Sequence, residues 1–182
     1  MHQALRLHPD SRCTAVTGIE VVASRPGPGN LLLRYLLTGT PADLRMPPAA
    51  LPTRADELWR HSCFEAFVCA GPDTAYYEFN FAPSTRWAAY RFKGYRSGMS
   101  AALNIGTPPI EVRSDGGSYE LRASLALDGL PDLPGDAVWL LGLSAVIEEA
   151  AGGMSYWALA HPPGKPDFHH SDCFAVELPA AY

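Results

Sequence analysis

Glu65 and Glu78 are the residues that could do chemistry first, because the alternation around them puts both on one side of a sheet. Two hairpins fit residues 62–93, turning at Ala70-Gly71-Pro72-Asp73 and at Ala82-Pro83-Ser84-Thr85. They set Glu65 nearly opposite Glu78, Glu78 near Ala89, and Asn80 near Trp87. One face then carries Phe64, Ala66, Val68, Tyr77, Phe79, Phe81, Ala88, Tyr90 and Phe92, which is a core face. The other carries Cys63, Glu65, Phe67, Tyr76, Glu78, Asn80, Trp87, Ala89 and Arg91. Two carboxylates across neighbouring strands repel unless a guanidinium, a cation or a ligand hydroxyl lies between them. Large rings such as Phe67, Tyr76 and Trp87 have no purpose on a merely solvated face. Carboxylates, an amide, a guanidinium and flat rings together describe a sugar site, with rings stacking on pyranose C–H groups and polar atoms fixing hydroxyls. The competing reading is a sheet face half covered by a loop, with Glu65 paired to Arg91.

The elements that must position these groups are strands. Apolar alternation ended by Gly, Pro, Asn or Asp predicts strands at 3–8, 15–24, 30–38, 62–70, 74–82, 86–93, 109–114, 118–127, 137–148, 154–160 and 173–178. Asp115-Gly116-Gly117 reads as a hairpin turn. Only 54–61 reads as a short helix. The 182 residues, 47% hydrophobic, suffice for one core, and no boundary or repeat divides the chain, so 1–182 is expected to be a single domain. The expected fold is all-β, an antiparallel jelly-roll β-sandwich. A net charge of −5 argues against nucleic-acid binding, and only Lys93 and Lys165 are lysines. No apolar run suits a membrane span and no signal segment opens the chain. Four cysteines without CxxC spacing fit reduced thiols, and a cytoplasmic protein is expected.

Leu58-Trp59-Arg60-His61-Ser62-Cys63-Phe64-Glu65-Ala66-Phe67-Val68 resembles the "W-x-x-D-x-v-E-i-f-v" strand of carbohydrate-binding module family 9. Tyr77-Glu78-Phe79-Asn80-Phe81-Ala82-Pro83-Ser84-Thr85-Arg86-Trp87 is similar to that family's next hairpin, and Phe168 to Leu178 to its closing "F-H-x-p-e-x-F-g-x-l" strand. Over about 59–182 the chain resembles the DOMON-like proteins grouped with that module. The resemblance implies a jelly-roll sandwich that binds sugar without catalysis, two tryptophans sandwiching a terminal sugar. Carried over residue by residue, it points to Trp59, Glu65, Glu78 and Trp87; Ser62 replaces the motif's Asp. Some DOMON domains carry b-type haem, so a haem electron-transfer domain is the alternative, with Met46, Met99 and Met154 as thioethers. A ligand-free interaction module is the other.

The stretch 156–170 is dense in aromatic and polar groups. Zinc on His161, Asp167, His169, His170 and Asp172 is conceivable, but adjacent histidines on an extended segment point apart. No metal is expected, and His169 or His170 is expected at the rim of the binding face. Trp139 reads as core and Trp157 as pocket wall. Glu65 and Glu78 could in principle act as a glycosidase pair, yet no GxSxG, HExxH or P-loop motif appears, and no catalytic residue is expected. The expected ligand set is therefore Trp59, Glu65, Tyr76, Glu78, Asn80, Trp87, Arg91, Trp157 and His169, holding a small saccharide without a cofactor.

Overall fold

A computed structural model of the protein describes residues 1–71 and 75–181. Its strands, among the described residues, are β1 (His2–Leu7), β2 (Val16–Ser24), β3 (Asn30–Gly39), β4 (Cys63–Cys69), β5 (Tyr76–Phe81), β6 (Trp87–Phe92), β7 (Ser100–Ala101), β8 (Ile110–Ser114), β9 (Ser118–Ala126), β10 (Trp139–Glu148), β11 (Met154–Ala158) and β12 (Val176–Leu178). All pairings are antiparallel, in the order β7-β6-β5-β4-β10-β11-β1-β2-β3-β9-β8, with β12 beside β11 on the same edge of β10. Each expected strand is present; the two-residue β7 was not expected.

The long curled sheet folds on itself at β1. Its first half pairs with β2 at Leu5↔Ile19, and its end pairs with β11 at Leu7↔Trp157. The result is a β-sandwich. Ile19, Val21, Leu33, Tyr35 and Leu121 from one layer meet Phe64, Val68, Phe79, Leu141 and Ile147 from the other in one core. Alternation alone produces this, since every second residue of each strand faces the partner sheet. A second apolar cluster, including Phe67, Tyr76, Tyr90, Phe92 and Phe168, lies on the outer face of the β4–β5–β6 layer.

Two expectations need correction. The helix over 54–61 is only a 3₁₀ turn at Leu58–Arg60, because Arg54 bridges Trp87 in extended form and Glu57 is left-handed, with φ 62°. The β5–β6 register is shifted by one residue. Glu78 faces Tyr90 and Asn80 faces Ala88, so Tyr77 faces Arg91 and Phe81 faces Trp87. The turn explains the shift: Ala82 donates to Arg86 O, Thr85 donates to Ala82 O, and Thr85 adopts φ 66°. That left-handed residue adds one position to the loop and reverses the parity of the next strand. Glycine usually takes this place; here the buried Thr85 hydroxyl compensates by donating to Ala50 O at 2.6 Å. In the first turn, Pro72, Asp73 and Thr74 lie outside the described residues, but the strands it joins pair Glu65 with Asn80 and Phe67 with Glu78. Among the described residues no helix is long and apolar enough to cross a membrane.

Candidate functional site

The outer face of β4, β5, β6 and β10 is half covered by residues 160–174, and a cleft of about 520 Å³ remains beneath them. Its floor, the sheet face itself, includes Glu65 and Glu78 beside Phe67, Phe92 and Val146. Its walls include Trp59, Tyr156, Phe168 and His169. Glu65 is 2% exposed and accepts from Ser144 Oγ on β10 at 3.2 Å. Glu78 is 5% exposed; its Oε1 accepts from Asn80 Nδ2 at 2.6 Å, and its Oε2 lies 3.7 Å from His169 Nε2. Burial, and then the neighbouring Glu78 charge, raise the Glu65 carboxyl well above the carboxylate range. Glu78 is raised too, chiefly by burial, against the opposing pull of the Asn80 hydrogen bond.

His169 is oriented by its other nitrogen, Nδ1, which shares a 2.8 Å hydrogen bond with Tyr76 OH. Its ring meets Phe67 and Phe92 edge-on, each at 5.0 Å. Burial, helped by the Arg96 charge, lowers its pKa to about 4, so it is neutral at physiological pH. Arg96 lines the cleft, but its guanidinium is turned onto Asp167 Oδ1, at 2.7 Å from Nη2 and 3.1 Å from Nε. Asp167 also accepts from Tyr95 OH, and the bonds from Tyr95 and Arg96 hold it below its usual range despite burial. This bridge ties the 93–99 loop to the covering segment.

The covering segment is seated by its own contacts. Cys173 Sγ donates to Ala160 O and Asp167 O, at 3.3 and 3.2 Å. Its carbonyl sits over Gly142, where a Cβ would approach it to 3.1 Å. Phe174 packs on Tyr76 and Phe67.

Of the expected ligand set, Trp59, Glu65, Glu78 and His169 line one cleft. Trp59 rides on the 3₁₀ turn, 36% exposed, and meets Tyr90 edge-on at 6.0 Å. Tyr76 and Asn80 stand behind the cleft as partners of His169 and Glu78. Three expected positions lie elsewhere. Trp87, turned by the register shift, is buried in the inter-sheet core. Arg91 leaves Glu65 unpaired and binds Asp132 at 2.5 and 3.0 Å, where Tyr77 OH joins it at 2.7 Å. Trp157 also faces the core, because its neighbours Tyr156 and Ala158 take the outer face; its Nε1 donates to Ser155 Oγ. The sequence reading missed Arg96, Phe168 and Tyr156 as site residues. Phe168 and Tyr156 belong to the aromatic-rich stretch already noted, whereas Arg96 sits in an aperiodic loop with no local signal. Among the described residues no three His, Cys, Asp or Glu side chains are grouped to hold a metal ion.

No protein-family model matches the sequence, and a search of curated proteins finds no match. Solved structures do match. A Bacteroides uniformis protein proposed to bind carbohydrate aligns over 95% of this chain and 83% of its own, at 14% identity and a TM-score of 0.65. A carbohydrate-binding module of family 9 from Caldicellulosiruptor kristjanssonii, in complex with cellotriose, aligns over 90% of this chain and 74% of its own, at 11% identity and a TM-score of 0.52. At these identities the likeness is one of fold: the chain has a β-sandwich like that of family 9 modules.

Proposed function

We propose that the protein binds a small saccharide in the cleft between Trp59 and the Glu65–Glu78 floor. The observation that carries this is the pairing of a partly exposed indole with two buried carboxylates in one cavity of about 520 Å³. Such a cavity falls within the usual range for small-molecule sites, and its apolar walls with a few convergent polar groups match their usual make-up. The indole supplies a flat apolar surface for ring C–H groups, and the carboxylates accept from hydroxyls. The fold likeness to a cellotriose-bound module supports the same reading. The arrangement of the acids supports binding without catalysis. Glycosidase carboxylates flank the scissile bond. Glu65 and Glu78 rise instead from one face of adjacent strands and meet a ligand from the same side.

Isothermal titration with glucose and cellotriose tests the proposal. Saccharide binding is expected, and Trp59→Ala should weaken it about thirtyfold, the loss of about 2 kcal/mol typical of an aromatic anchor. Because Trp59 is partly exposed and outside both apolar clusters, its urea midpoint should barely move. Absence of saccharide binding, or Trp59→Ala binding as well as wild type, would sink the proposal.

A further inference from the structure

Resting on the saccharide reading above, we propose that this cleft selects sugars bearing a protonated amino group, with Glu65 and Glu78 together supplying the ammonium's counter-charge. The protein's other buried glutamates are paired with cations. Glu120 is paired with Arg34 at 2.5 Å and with Arg122 at 2.7 Å. Glu148 is paired with Arg45 at 3.2 Å and His61 at 2.7 Å. Glu65 and Glu78 are buried at least as deeply, yet among the described residues neither has a lysine or arginine within ion-pair distance. Each takes only a neutral hydrogen bond, from Ser144 or Asn80.

Among the described residues, no charged group facing the pair forms an ion pair with it. Tyr35, from the opposite sheet, spends its hydroxyl on the Glu65 main-chain carbonyl at 2.7 Å. Cys63 on β4 is a neutral thiol whose pKa burial pushes up, and it contacts Asn80 Oδ1. His169, from the covering segment, is neutral and committed to Tyr76. Arg96 is the one cation lining the cleft among the described residues; its charge draws both carboxyls down, against the stronger effect of burial, but its guanidinium is ion-paired with Asp167 at 2.7 Å and with neither glutamate.

Two buried carboxylates without a cation are costly unless they hold a proton or receive a positive charge from outside. The described hydrogen bonds engage one oxygen of each, and both side chains line the cavity, so acceptor capacity remains for a ligand. An ammonium carries three donors and a full charge, matching two carboxylates on one floor. A bare divalent cation fits less well, since calcium takes six to eight oxygens. The walls then choose among amines: Trp59, Tyr156 and Phe168 offer ring surface to a pyranose and attraction to its cationic substituent. If the unpaired, buried carboxylates hold a proton in the empty cleft, an ammonium replaces it, so its binding should release a proton, whereas that of a neutral sugar should not.

Titration of the full chain at neutral pH with glucosamine, glucose and N-acetylglucosamine tests this. Glucosamine should bind at least about tenfold tighter than glucose, and N-acetylglucosamine, which has the nitrogen but no charge, no tighter than glucose. Titrations in two buffers of different ionisation enthalpy should show net proton release with glucosamine alone. The advantage should shrink on acidification, as the carboxylates protonate. Glu78→Gln, with folding checked by circular dichroism, should bring the glucosamine-to-glucose ratio towards one; should it fail to fold, the wild-type proton release and pH series still decide. Equal affinity for glucose and glucosamine overturns the amine preference and leaves the saccharide reading standing. Tight N-acetylglucosamine binding overturns it too, by assigning selectivity to shape rather than charge. Binding of none of the three overturns both readings.

Discussion

Trp87 and Trp59 lie within a few strands of each other, and their different surroundings predict opposite behaviour. Trp87 is 6% exposed in the inter-sheet core, so Trp87→Ala should cost about 3–5 kcal/mol through cavity formation. Urea melts of Trp87→Ala beside Trp59→Ala check this; similar midpoints would place both rings in the same environment. Glu65 makes a second residue-level prediction. Its folded pKa is raised by burial and then by Glu78, above the ordinary value of 4.5. A raised value means the folded state holds the proton longer, so the associated stability is present below about pH 4.5 and lost as pH rises through the folded value. His169 has the opposite sign: lowered from 6.5 to about 4, it favours the folded state as pH rises across that interval. Above about pH 6.5 the His169 contribution no longer changes with pH. Glu65→Gln should therefore gain on wild type as pH rises from about 4.5 through the folded value of Glu65, read from urea melts at each pH beside His169→Gln, which removes the opposing histidine effect. A gap that stays constant with pH would mean Glu65 is ionised without penalty.

At the scale of elements, the cleft depends on how the 160–174 segment sits on β10. Gly142 faces Phe67 across the β4–β10 ladder and leaves room for the Cys173 carbonyl. A Cβ at 3.1 Å from that oxygen is tighter than ordinary packing and forces the 3₁₀ turn at Ser171–Cys173 outward. Gly142→Val, with a bulkier branched side chain, should lift the segment, weaken Cys173 Sγ–H bonding to Ala160 and Asp167, and detach His169 from Glu78. Hydrogen exchange should then speed at 160–174 while the β2–β3–β9 amides stay protected. Uniform acceleration would show instead that the substitution destabilises the whole sandwich.

For the molecule as a whole, we propose that the chain is one cooperative domain. β1 belongs to both layers, with β2 beside its first half and β11 beside its end, so neither layer has a complete edge without it. Arg25 adds a second tie. Its guanidinium donates to the carbonyls of Pro28, Pro134, Gly135, Ala137 and Pro179 and stacks 3.5 Å over Trp139. Urea unfolding followed by tryptophan fluorescence and by far-ultraviolet circular dichroism should give coincident single transitions. Two separated transitions would show that the layers unfold independently.

Strand positions and the Glu65–Glu78 face were legible in the sequence, because period-two alternation is local and each strand carries its own record of which side is apolar. So were the core roles of Phe64, Phe79 and Trp139, which follow from the same pattern. The relation between β5 and β6 was not. One residue, Thr85 in a left-handed conformation, decided the parity, and its anchor is the carbonyl of Ala50, 35 positions away. With that parity went the places of Trp87 and Arg91. Arg96, Asp167 and His169 come together through two loops separated by about 70 residues, and no periodicity links them. Alternation reports only the side of a strand on which a residue lies. Which loop covers that side, and which charge remains unpaired beneath it, is set by long-range packing that only the tertiary structure determines.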